Sequence, residues 1–205
     1  MPGVLTAYGL SALASAVQGN YTPPLYLVIE SNGSTLNATV NVGATSLKTN
    51  ARVDLSGDTQ LVVGTGTANE ETLPFSAVSG SGPYTYTLSS PATKSHAAGD
   101  PICRLPLSSD TMLQVASEQQ FDSVNQPGLR LQSVSGYASG PGQWTMQFFL
   151  TGIEASYFIM TIGLSDSPTI GQGNLHLHAT YGLDHTFNPV SGGVDIEVDV
   201  PVGLS

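Results

Sequence analysis

The sequence predicts a mainly β protein, an antiparallel β-sandwich with one N-terminal helix and a small inserted β module. Three observations carry this. Only 10% of the residues are Asp, Glu, Lys or Arg, against about 25% in an ordinary soluble domain, and helix surfaces are where such side chains concentrate. Glycine (23) and proline (13) recur along the chain and punctuate short apolar runs, as turns punctuate strands. Several of those runs alternate with a period of two. A hydrophobic content of 40% is enough to build a core, so the chain is not a disordered polymer.

The first element predicted is a helix over residues 4–18. Leu10, Leu13, Ala14 and Val17 recur at helical spacing, and Gly19-Asn20 supplies a left-handed stop. After Pro23-Pro24, the run Leu25 to Ile29 is apolar at every position, which predicts a strand covered on both faces. Asn32-Gly33 marks a turn, and the weak alternation of Leu36, Ala38, Val40 and Val42 predicts a partly exposed strand within 35–50.

A separate unit is predicted for 51–106. Leu61 to Val63, Thr72 to Val78 and Tyr84 to Leu88 read as its strands, divided by Gly64-Thr65-Gly66 and by Ser79-Gly80-Ser81-Gly82-Pro83. Tyr84, Tyr86 and Leu88 share one face. Residues 110–120 read as a short helix or an irregular connection. Leu129 to Leu131, Trp144 to Leu150, Tyr157 to Leu164, Leu175 to Tyr181 and Val194 to Val202 then follow as strands. The organisation expected is a discontinuous sandwich, 1–50 plus 107–205, interrupted by the 51–106 module.

Five basic residues against fifteen acidic ones give a formal charge of −10. That disfavours nucleic acid, which needs Lys and Arg against its phosphates, and equally an anionic membrane surface. No Lys or Arg precedes Lys48, and the apolar stretch Val4 to Val17 is too short to span a bilayer. Neither export nor membrane anchoring is expected. Cys103 is alone, so no intrachain disulfide is expected.

The order of these elements resembles the particle-attaching N-terminal domain of bacteriophage tail fibre and tail-collar proteins. Gly9-Leu10-Ser11-Ala12-Leu13-Ala14 resembles that family's starting helix, followed here by Pro24 to Ile29. Thr161-Ile162-Gly163-Leu164-Ser165-Asp166, then Gly173-Asn174-Leu175-His176-Leu177-His178-Ala179, then Asp195 to Val200 resemble its later strands. Thr161 departs from the family's usual Glu, and Ser165 from its aromatic. Val63 to Thr67 and Lys94 to Pro101 are similar to a β insertion of phage structural proteins. The resemblance implies a non-enzymatic virion protein assembled in the host cytoplasm, in the tail as a collar, baseplate or fibre-anchoring component. Its implied partners are other virion proteins and further copies of itself. Rival expectations are a capsid decoration protein, or a glycan-binding, host-recognition module, for which Trp144 or tyrosines would have to form an exposed stacking platform.

Candidate chemistry is sparse. His176 and His178 stand two apart in a predicted strand, so both imidazoles are expected on the polar surface opposite Leu175 and Leu177. Six such rings on a three-fold axis suit an octahedral metal, but the expectation is ordinary hydrogen bonding to Ser, Thr or solvent, with no metal and no cofactor. Asp195, Glu197 and Asp199 line one face of the last strand. They are expected to stay solvated opposite Ile196, Val198 and Val200 rather than to hold Ca²⁺. Gly64-Thr65-Gly66 lacks the third glycine and lysine of a nucleotide loop and reads as a turn. No Gly-x-Ser-x-Gly elbow occurs, Glu118 and Glu154 pair only if the fold joins them, and no catalytic residue is expected. Tyr26, Trp144, Phe148, Phe149, Tyr157 and Phe158 are the large residues available for core or subunit contact.

Overall fold

A computed structural model of the chain describes residues 3–16, 26–30, 33–111, 129–140, 143–150, 161–169, 172–180 and 194–201. Strands make up 49% of the structure and helix 6%, and every described strand pairing is antiparallel. The mainly β, sandwich-like expectation with one short N-terminal helix therefore holds. Among the described residues the strands form three sheets.

The first sheet joins the N-terminal strands to strands from the second half of the chain. Its order is β1 (Gly3–Leu5), β13 (Leu175–Thr180), β12 (Thr161–Ser165), β2 (Tyr26–Glu30) and β9 (Leu129–Gln132). The all-apolar run around Leu27 predicts a covered strand, and β2 does lie inside the sheet with Leu27 and Val28 fully buried. The helix α1 (Ala7–Ala16) packs on β13, but not through the face that its spacing suggests. Leu10 is 54% exposed, whereas Gly9 is buried. A Cβ on Gly9 would lie 2.1 Å from the His176 carbonyl oxygen, so only glycine lets the helix sit this close to the strand.

The second sheet is the module. Its order is β3 (Ser34–Thr35), β8 (Pro101–Arg104), β5 (Gln60–Val63), β6 (Glu71–Ser79), β7 (Tyr84–Leu88) and β4 (Ser46–Thr49). The pairing takes in residues that the sequence assigns to the flanking unit: Ser34–Thr35 binds β8, and Ser46–Thr49 binds β7. The single half-exposed strand expected within 35–50 is instead two short strands. Leu36 and Val40 between them are buried, each beside a single antiparallel bridge, to Thr49 and His96 respectively. The module has its own apolar core, in which Leu36, Val40, Leu47, Leu61, Leu73 and Ile102 surround Tyr86. Tyr86 and Leu88 are buried on the face they share with half-buried Tyr84, as alternation predicts.

The third sheet is β10 (Ser135–Gly140), β11 (Gln143–Leu150) and β14 (Val194–Pro201). Met146, Phe148, Ile196, Val198 and Val200 are buried along one face. Glu197 and Asp199 are exposed on the other, as expected for solvated carboxylates. Gln147 Nε2 donates to Glu197 Oε1 at 2.8 Å, and Thr145 Oγ1 donates to Asp199 Oδ1 at 2.5 Å. Residues 112–128 and 151–160, and with them Glu118, Glu154, Tyr157 and Phe158, lie outside the described residues.

Candidate functional site

The densest polar arrangement among the described residues lies where the module meets the first sheet. Arg104 closes β8 at the end of a strand whose preceding residues, Ile102 and Cys103, are wholly buried. Strand geometry carries the Arg104 side chain inward, and it is only 2% exposed. A buried guanidinium needs both charge and acceptors, and two carboxylates provide them. Asp58 accepts from Arg104 Nε at 2.9 Å and from Nη2 at 3.1 Å. Asp110 accepts from Nη1 at 3.0 Å and from Nη2 at 2.8 Å. Both are two-pronged contacts suited to the planar fork of arginine.

Local turns hold the two carboxylates in place. The Leu55 N–H donates to Asp58 Oδ2 at 2.8 Å, and the Asp58 N–H closes the turn onto the Leu55 carbonyl. The Leu107 N–H donates to Asp110 Oδ2 at 2.7 Å, and the Asp110 N–H closes onto the Leu107 carbonyl. Each is a backbone turn in which the aspartate side chain reaches back to the N–H three residues before it. The next link is His178 of β13, fully buried, whose Nδ1 lies 2.7 Å from Asp110 Oδ2. Burial by itself would raise the Asp110 carboxyl. The hydrogen bonds from His178, Arg104 and the Leu107 N–H outweigh it and hold the group well below the usual carboxylate range. An ionised carboxylate only accepts, so Nδ1 of His178 carries the proton.

His176 is handled differently. It too is buried, and the ring of Tyr8 from α1 meets it edge-on with centroids 4.9 Å apart. Its Nε2 has no hydrogen-bond partner and stands 3.6 Å from Asp166 Oδ2. Burial lowers its pKa below the ordinary histidine value, against an opposing pull from Asp166. Asp166 is itself lowered: burial would raise it, but the Asn174 side chain and N–H prevail.

The expectation of two imidazoles together on an outer polar surface is therefore corrected. All six residues of β13 are buried, because the sheet is covered on both sides. A register shift at Leu164/Ser165 also breaks the alternation. Gly163 is paired with both Val28 and His178, yet a Cβ there would lie 2.8 Å from Leu175 Cδ1. Leu175 thus shares the His178 side of the sheet rather than opposing it.

Among the described residues no group of three or more His, Cys, Asp and Glu side chains is placed to hold a metal ion. Cys103 is buried beside Val62, with its Sγ 3.4 Å from Thr65 Oγ1. Gly64-Thr65-Gly66 is a turn in which the Gly66 N–H donates to Glu70 at 2.8 Å, so a carboxylate stands where a phosphate would need to bind. A third buried histidine, His96, sits in the module with Nε2 at 2.8 Å from Glu71 Oε1. Glu71 also accepts from the Thr93 hydroxyl and N–H and from the Lys94 N–H. These bonds tie the 93–96 segment to β6.

Sequence reasoning missed Arg104, Asp58 and Asp110. The signal was present. In a chain with five basic residues, an arginine directly after Ile102-Cys103 stands where an interior side chain belongs, and it calls for acidic partners.

No family model matches the chain, and no curated protein and no solved structure is similar to it.

Proposed function

We propose that this chain is a non-enzymatic structural component of a phage virion, attached to the tail as a collar, baseplate or fibre-anchoring element, and that it works by packing against copies of itself and neighbouring virion proteins. The observation that carries the reading is the third sheet. It keeps Tyr137, Trp144 and Phe149 between 41% and 46% exposed, three large aromatic side chains on one three-stranded sheet. Aromatic side chains supply much of the energy of protein interfaces, and a net charge of −10 favours solubility until assembly.

Light scattering of the purified chain, alone and with candidate tail proteins, tests it. Self-association or a stoichiometric complex that weakens in Trp144→Ser and Phe149→Ser is the expected result. A monomer that engages none of them counts against it. Exposed Trp144 also keeps a glycan-binding role in view. However, Trp144 pairs with Ala138 and Tyr137 with Thr145, which puts the two rings on opposite faces of the sheet, not on one stacking platform. Binding of host-surface glycans by the monomer, lost in Trp144→Ser, would favour that alternative.

A further inference from the structure

The Arg104 cluster joins units that are otherwise internally complete. The apolar core around Tyr86 is built entirely from residues 36–102. Val28 and Leu175 pack together separately within the first sheet. Among the described residues, the hydrogen bonds of this cluster run between the two. Asp58 and Arg104 both belong to the module, and their two-pronged contact sets the guanidinium in place from within. Asp110 lies beyond β8, on the connection that leaves the module. Its carboxylate takes two N–H groups from Arg104 on one side and Nδ1–H of His178 on the other. The Ala7 N–H, at the start of α1, adds a bond of 2.7 Å to the Ser108 carbonyl on the same connection.

We infer that the Asp110 carboxylate is a latch, a conformational device that fixes the module against the first sheet. When it is disabled, the module pivots as an intact unit against the first sheet. The asymmetry of the cluster makes this specific. Removing the Asp110 charge leaves Arg104 still held by Asp58, so the module keeps its internal ion pair. The link to His178 loses its charged acceptor. An amide at 110 keeps only one acceptor oxygen and turns N–H groups towards Arg104, which only donates, so Asp110→Asn weakens the junction with almost no change in volume. The inference does not depend on a virion role.

The test uses the full chain with spin labels on cysteines introduced at Val42 in the module and Leu10 on α1, both exposed. Distance distributions are read together with amide hydrogen exchange. The unmodified sequence should give one narrow distance. Asp110→Asn should broaden it at least twofold while exchange protection in β5, β6 and β7 stays within a factor of about three. His178→Leu, which removes the partner on the sheet side, should do the same and is the second reading should Asp110→Asn fail to fold. A distribution that stays narrow in both variants overturns the latch. Collapse of protection across β5–β7 in both also overturns it, because the junction would then be part of the module's own stability.

Discussion

Tyr86 and His178 are both polar side chains with no exposed surface, and a carboxylate answers each, yet they belong to differently built regions. Tyr86 sits in hydrocarbon, with Phe75 edge-on at 5.2 Å. Its hydroxyl reaches the rim of the module, where it donates to Asp54 at 2.7 Å and accepts from the Val53 N–H at 2.9 Å. All those partners lie within the module. His178 sits in a strand buried throughout, and its partner Asp110 lies 68 residues away across a junction between sheets. The comparison separates two ways of burying a polar atom. One places it at the edge of an apolar core beside local partners. The other places it between units, where it holds them in register. The first adds stability to one unit, while the second also sets how two units are arranged.

The sharpest test removes the cation from the junction. Arg104→Met leaves Asp58 and Asp110 buried without their counter-charge, and should cost about 3–5 kcal/mol in urea unfolding. A cost below about 1 kcal/mol would mean that water reaches the cluster freely and that the contrast with the module is false. Tyr86→Phe keeps the ring and deletes the hydroxyl, leaving the Val53 N–H without its acceptor. It should cost about 1–3 kcal/mol, and faster hydrogen exchange should be confined to residues 34–104.

Titration compares the regions directly. The folded pKa of His176 is lowered, by burial, so the unfolded chain takes up the proton first. The histidine's contribution is complete above about pH 6.5 and is lost as pH falls through that value. In the module, burial would raise Asp54 and Glu71. Hydrogen bonds from Arg52 and Tyr86 lower the first, and those from Thr93, His96 and Lys94 lower the second. Their contributions are intact above about pH 4.5 and are lost as pH falls below it. Exchange protection of β12 and β13 should therefore decline between pH 7 and 5.5, by no more than about 1.4 kcal/mol per pH unit. His176→Gln should flatten that slope, and a slope that survives it would show that another group is responsible.

The smallest effect belongs to the third sheet. Glu197→Gln, on its exposed face, should change stability by less than about 0.5 kcal/mol, measured by thermal unfolding. A larger loss would mean that the Gln147 contact is shielded from water.

The same contrast explains what could be read from the sequence. The strands around Leu61, Thr72 and Tyr84 were legible because hydrocarbon burial leaves its mark in the residues themselves, as a period of two or as an unbroken apolar run. So were the run at Leu27 and the alternation of Ile196, Val198 and Val200. The histidines of β13 were read as surface residues because polarity is ordinarily the mark of exposure. What buries them is an aspartate far along the chain and a glycine-faced helix, and neither leaves a local pattern. The start of the module was misplaced for a related reason. Ser34–Thr35 is two residues long, and the segment after it is held by isolated bridges that have no periodicity to detect.

The position of the module in the chain also bears on synthesis. Strand β2 leaves the ribosome before the module, but its sheet neighbours β9 and β12 follow only after it. Leu27 and Val28 therefore wait without partners while more than a hundred further residues are made, the module folding in the interval from contacts it already contains. An unpaired apolar strand is a template for association with other chains. Nascent chains on one message, or a chaperone that holds extended apolar segments, are the species that would meet it there.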